Sequence, residues 1–249
     1  MTVLAVALGV ALVGLTIGAV VLVVSGTLSG GAPAAHAASL TLDSGQVVWS
    51  DTAPSSGDGW FTGTDSDGVL YHYSGGSYEI DAGSLAGNTD AHASSAPYST
   101  GLAAMAISAS VTVTVQGSED GAGVRCEHAG RNGTTHYVAF LFPGGTLNLE
   151  RYAGSSNGTS DFPTTILSTS FADAAGPGQA NQLDLACITE SASGGTVTTR
   201  LLVQVDGGTP VSTTDAFATG GSSAWYGGVE SEADSVVDFS DLSIRNLEG

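Results

Sequence analysis

Three acids alternate in Glu230-Ser231-Glu232-Ala233-Asp234. In an extended chain, residues i and i+2 share a face. Two carboxyls set about 5–9 Å apart, one protonated and one ionised, are what glycoside hydrolysis requires. A solvated acidic loop is the competing reading. Asp65-Ser66-Asp67-Gly68 places alternate aspartates before a glycine turn, and such oxygens can converge on a hard cation such as calcium. No Glu completes an EF-hand spacing, and the same residues also suit an Asx-rich turn. Cys126, His128 and His136 are candidate zinc ligands. A structural zinc site needs four N or S ligands, so Cys187 would have to join them.

Aromatic side chains offer a different chemistry. Trp60, Trp225, Tyr71, Tyr73, Tyr137, Tyr152 and Tyr226 can stack on sugar C–H faces while Asn and Asp hydrogen-bond the hydroxyls. Trp225-Tyr226, flanked by Gly220-Gly221 and Gly227-Gly228, leads this set, with Tyr71 and Tyr73 beside it. The competing reading puts Trp60 and most of the tyrosines in a core. Asn132-Gly133-Thr134 and Asn157-Gly158-Thr159 fit the glycosylation sequon.

These residues must be positioned by strands. Gln46-Val47-Val48-Trp49 starts one. Val69 to Tyr73 and Ser77 to Ile80 flank Gly75-Gly76, a hairpin signature. Ala109 to Val115 alternates strictly, with small or apolar residues on one side and hydroxyls on the other. Further strands follow over Gly123–Glu127, His136–Phe142, Thr146–Tyr152, Ala180–Ile188, Val197–Val205, Ala224–Glu230 and Val236–Arg245. Roughly a dozen strands separated by turn signals, with no amphipathic helix, predict an all-β two-sheet sandwich or jelly roll.

The chain has 249 residues and a net charge of −19; every base is Arg, and none precedes Arg125. Such acidity excludes nucleic acid as a partner and fits a solvated exported surface. Val3 to Val24 is an uncharged apolar run. As a helix it would span roughly 33 Å, about a bilayer's hydrocarbon core. Residues 1–25 therefore read as a transmembrane or signal segment, with membrane contact through residues 3–24. Ala35-His36-Ala37 fits a cleavage pattern but lies far beyond the run. The missing basic flank raises the hypothesis of a cytoplasmic portion before Met1. Residues 26–40 form a Gly/Ala/Ser-rich tether, and 41–249 form one domain. Two cysteines behind an export segment suggest a disulfide; two buried free thiols are the alternative.

Trp49-Ser50-Asp51, Ser56-Gly57-Asp58-Gly59-Trp60, Asp67-Gly68, Tyr71, Tyr73, Gly75-Gly76 and Tyr78-Glu79-Ile80 resemble the opening of a concanavalin A-like jelly-roll domain. This lectin/glucanase architecture, related to laminin G-like and 3-keto-disaccharide hydrolase-like families, occurs in exported or membrane-anchored bacterial proteins. Gly123-Val124-Arg125-Cys126, Tyr137 to Phe140, Asn181 to Cys187, Leu201 to Gly207 and Val237 to Leu242 continue the resemblance. It implies a cross-strand pairing of Cys126 with Cys187. It also assigns Glu230–Asp234 to a loop before the last strand. Calcium bound near terminal strands in such domains makes Asp241 a third candidate ligand beside Asp65 and Asp67. No other cofactor is expected.

The resulting expectation is an extracytoplasmic, non-catalytic module that recognises glycan or cell-wall polymer. The alternatives are a secreted glycoside hydrolase using Glu230 and Glu232, and a structural or protein-interaction ectodomain. The fold hosts all three, so it does not choose among them.

Overall fold

In a computed structural model, the described residues are 42, 44–83, 91–114, 120–130, 133–153, 163–172, 174, 176–218, 224–232 and 235–248. Side chains of 129, 130, 133 and 134 are not among them. The expected membrane or signal segment, the tether, Ala35-His36-Ala37 and the sequon asparagines lie outside the described residues.

The strands are β1 (Gln46–Asp51), β2 (Gly63–Thr64), β3 (Leu70–Ser74), β4 (Ser77–Asp81), β5 (His92–Ser95), β6 (Ala104–Thr114), β7 (Gly121–Gly130) and β8 (Gly133–Leu141). They continue as β9 (Thr146–Ala153), β10 (Thr164–Ser170), β11 (Ala180–Ser193), β12 (Thr196–Val205), β13 (Val211–Ala218), β14 (Trp225–Glu232) and β15 (Val236–Asn246). Among the described residues there is no helix. Two antiparallel sheets result. Nine strands run β13-β12-β11-β6-β15-β4-β3-β2, with β1 also on β15; six run β10-β9-β8-β7-β14-β5.

The alternation of the sequence sets each strand's buried face. In β6, Met105, Ile107, Ala109 and Val111 point into the core, while Ser108, Ser110 and Thr112 face away. In β12 the inward set is Val197, Thr199, Leu201, Val203 and Val205. Side chains from both sheets interdigitate between the layers, as aligned sandwiches require. Trp60 stacks on Tyr78 with ring centroids 4.8 Å apart, and the Trp60 indole N–H donates to Asp51 at 3.2 Å. The Gly75-Gly76 turn joins β3 to β4 with both φ angles positive, 61° and 92°, the conformation that a two-residue hairpin demands.

Polar and covalent links also cross between the layers, among them the Tyr78–Ser94 and Trp225–Thr189 hydrogen bonds. Cys126 on β7 is bonded to Cys187 on β11, with Cα atoms 6.4 Å apart. Asp215 on β13 accepts hydrogen bonds from Arg151 of β9 at 2.8 Å and from Tyr137 of β8 at 2.9 Å. On the far side of the nine-stranded sheet, Leu42, Ala104, Ala106, Ala186, Ile188 and Leu247 form a smaller apolar cluster.

Candidate functional site

Alternation gives the six-stranded sheet a second face, turned away from the core. Pairing registers arrange it in rows across the strands. One row reads Tyr152 (β9), His136 (β8), Glu127 (β7), Tyr226 (β14). The next reads Glu150, Val138, Arg125, Gly228 and Ser95 of β5. The third reads Asn148, Phe140, Gly123, Glu230, Ala93. Glu232 follows Glu230 on the same face, opposite Gly121. Successive rows lie roughly 7 Å apart along the strands.

The glycines make this arrangement possible. A Cβ on Gly228 would lie 2.6 Å from Arg125 Nε and 2.7 Å from the Ser94 carbonyl. The Arg125 side chain therefore lies across β14 toward β5, where its guanidinium donates to Ser95 Oγ at 2.8 Å. The same guanidinium is 3.2 Å from Glu127 and 3.8 Å from Glu230 Oε2. His136 Nε2 also lies 3.8 Å from Glu230 Oε2. The His136 ring stacks on Tyr152 at 4.7 Å and 4° between planes, and the Tyr152 hydroxyl donates to Glu150 at 3.1 Å.

Burial shapes the electrostatics. Glu230 is 2% exposed, Glu150 6% and Arg125 9%. Burial pushes the Glu230 carboxyl up to about 7; Arg125 opposes this, while Glu150 and Glu127 add to it. Burial and then Arg125 hold His136 neutral, pushing its pKa down to about 3. The Tyr152 phenol is raised by burial, then by Glu230, Glu150 and Glu232. Ionisable groups with such displaced pKa values gather where ligands or substrates are handled.

This face corrects one expectation. Glu230 and Glu232 belong to β14, between β7 and β5, not to a loop before the last strand. The Glu127, Glu150 and Arg125 contributions were not singled out from the sequence. Their signal is the polar alternation Arg125-x-Glu127 and Asn148-x-Glu150-x-Tyr152, which acquires meaning only once strand pairing is known.

The other sequence candidates are scattered. Trp225 is 0% exposed. Its indole N–H donates to Thr189 Oγ1 at 3.0 Å, and Phe217, Tyr137 and His128 pack around the ring. A ring enclosed in the core presents no face to a sugar. Tyr71 is buried and its hydroxyl donates to Asp65 at 3.1 Å. Tyr73 is half-buried and accepts the Trp60 backbone N–H at 3.1 Å. Tyr226, half-buried, lies on the outer face, as does Tyr152.

Ligand atoms of Asp65, Asp67 and His92 lie within 4.8 Å of one another, a group able to hold a metal ion. Asp241 is not in this group and sits, exposed, at the bulge of β15. His92, which the sequence did not suggest, brings an imidazole, a ligand of transition ions rather than of calcium. Asp65 also closes an Asx turn, accepting the backbone N–H groups of Asp67 and Val69 at 3.0 Å each. Its pKa is lowered: burial raises it, but the Val69, Tyr71 and Asp67 hydrogen bonds outweigh that. Cys126 is consumed by the disulfide, and His128 and His136 project from opposite faces of the sheet, so the zinc alternative has no ligand set.

No protein-family model matches this chain, and no curated protein matches it. Among solved structures it is similar to the carbohydrate-binding module CBM66 from Bacillus subtilis, at 12% identity and a TM-score of 0.50. That match covers 76% of this chain and 96% of that one. It is also similar to the marine PL-14 alginate lyase from Aplysia kurodai, at 11% identity and a TM-score of 0.51, covering 81% and 99%. At these identities the likeness is one of fold. The chain folds as a concanavalin A-like jelly-roll sandwich, as its motifs predicted.

Proposed function

We propose that the chain is an extracytoplasmic glycan-recognition module and that its ligand lies on the outer face of the six-stranded sheet. One observation carries this reading. β7, β8, β9 and β14 bring Arg125, Glu127, His136, Glu150, Tyr152 and Glu230 together on a surface that the core does not use. Buried charges cost stability unless well paired, so a purely structural sheet gains little from this set. Fixed donors and acceptors beside aromatic rings suit sugar hydroxyls and ring faces. The likeness to a carbohydrate-binding module and an alginate lyase supports glycan as the ligand class. In this reading residues 1–25 anchor or export the chain, 26–40 tether it, and 41–249 meet the polymer. The disulfide supports an oxidising, extracytoplasmic setting.

A glycan array probed with the full chain tests the proposal. Retained glycans should be lost in His136→Ala and Glu127→Gln. A silent array, or an unchanged pattern in both variants, overturns it.

A second reading has a specific observation behind it. Glu230 holds its proton near neutral pH, as a general acid must, and Glu232 shares its strand face as a second carboxyl. A glycoside hydrolase would release reducing sugar in an assay that goes blank with Glu230→Gln. No turnover on a broad polysaccharide panel removes this reading.

A further inference from the structure

The charge balance of the outer face points to a narrower ligand class. We propose that this face selects glycans bearing free amino groups over neutral, N-acetylated or uronate glycans; the inference rests on the recognition reading above.

Four glutamates share the face: Glu127 on β7, Glu150 on β9, and Glu230 and Glu232 on β14. Among the described residues the cation on this face is Arg125, which is engaged by Glu127 at 3.2 Å and Ser95 at 2.8 Å. His136 contributes no charge, because burial and Arg125 keep its imidazole neutral. A uronate or sulfated polymer laid here would meet a surplus of like charge. A protonated amine would meet a surplus of negative charge.

A second observation is independent of the count. Glu230 is 2% exposed, yet its Oε2 has no hydrogen-bond partner. Its nearest cationic neighbour, Arg125, stands off at 3.8 Å. A buried carboxylate oxygen without a donor is costly, and an ammonium at the Glu127 edge would lower that cost through the low-dielectric interior.

The glutamates are also spread in a way that disfavours a single ion. They occupy different rows and strands, and among the described residues the group compact enough to hold one metal ion is Asp65, Asp67 and His92. Several cationic groups repeated along a chain fit the spread; one point charge does not.

Binding should be linked to protons. The groups facing Glu230 are Arg125 and Glu127 from β7, His136 from β8, Glu150 and Tyr152 from β9, and Glu232 on β14. Tyr71 of β3 senses the same charge from the core side. Glu230, held at about 7, changes its protonation near neutrality. An arriving ammonium drives Glu230 to ionise.

The test is titration calorimetry on the full chain in mild detergent near pH 5.5, where the sugar amines already carry their protons, in two buffers of different ionisation enthalpy. The probes are tetramers of glucosamine, N-acetylglucosamine and mannuronate. The glucosamine tetramer should bind at least roughly ten-fold more tightly than the N-acetylated one, the worth of one charge-assisted hydrogen bond. Up to nearly one proton should leave per site. Glu230→Gln should abolish the proton release, and Glu127→Gln should weaken binding of the amine. Equal or tighter binding of the N-acetylated or mannuronate tetramer overturns the selectivity but leaves glycan recognition standing. Amine binding without proton release overturns the role of Glu230. A chain that binds no glycan at all, here or on the array, removes the recognition reading itself.

Discussion

Replacing Glu230 with Gln should reverse part of the protein's pH dependence of stability. In the fold the carboxyl is held at about 7, against 4.5 for an unburied group. A carboxyl raised in this way binds its proton more tightly in the folded state. Below about pH 4.5 both states carry the proton, and the group adds no pH dependence. Above that, the unfolded chain ionises first, so the folded state loses ground steadily until about pH 7. Beyond it both states are ionised and the loss is constant. The gap between 4.5 and about 7 corresponds to about 3 kcal/mol. Gln fills nearly the same volume and does not titrate. The stability of Glu230→Gln minus that of the wild type should therefore rise by about 3 kcal/mol between pH 4.5 and 7.5. In urea that is a midpoint difference growing by about 1 M. His136 acts in the opposite sense: its depressed pKa costs the fold stability as pH falls below about 6.5. It is present in both proteins and cancels in the difference. The assay is urea denaturation of both full chains, followed by tryptophan fluorescence, at half-unit pH steps. A difference that stays flat across this range would refute the argument that burial holds Glu230 protonated.

Gly228→Ala should destabilise by about 1–3 kcal/mol, because its Cβ would stand 2.6 Å from Arg125 Nε and 2.7 Å from the Ser94 carbonyl; thermal melting measures it, and an unchanged melt contradicts the packing described. Reducing the Cys126–Cys187 bond should cost about 4 kcal/mol, the loop-closure entropy of a 61-residue separation, read as a lowered urea midpoint in dithiothreitol. Trp225→Ala should cost about 3–5 kcal/mol of stability, so any loss of glycan binding in that variant should follow its unfolding curve. Asp215→Ala leaves Arg151 and Tyr137 without their shared acceptor and should cost about 1–3 kcal/mol; Asp215→Asn, which keeps an oxygen for Tyr137, should cost less.

Most of the architecture was readable because period-two alternation survives in the long strands. β12 buries every second residue along its length, and β6 does so from Ile107 to Val111, as their sequences suggest. The Gly75-Gly76 turn and the Cys126–Cys187 pair also formed as expected. The outer face was harder to read for a physical reason. Arg125, His136, Glu150 and Glu230 come from four separate stretches, and only the registers of β7, β8, β9 and β14 make them neighbours. Acid spacing on one strand looks the same whether the strand is solvated or packed. Trp225, which leads the aromatic set in the sequence, has its ring enclosed in the core. Gly227 beside it is small because a Cβ there would press within 2.9 Å of Ile244.

The position of the disulfide has a mechanical meaning. Cys126 lies between Arg125 and Glu127, so the strand that presents the ligand face is the strand that carries the bond. In the proposed reading, a module that held a polymer at one end of a tether would be under tension. The load would enter through β7 and leave through β1, the first of the described strands. Between them run Cys126–Cys187, then the ladders from β11 to β6, β6 to β15 and β15 to β1. Within each sheet that path is shared by many hydrogen bonds loaded in parallel. Between the sheets, apolar side chains can slide, and the covalent S–S bond resists shear beyond what the cross-sheet hydrogen bonds of Asp215, Trp225 and Tyr78 supply. In the proposed reading the disulfide would act as a rivet, placed where pulling on the ligand would otherwise part the two layers.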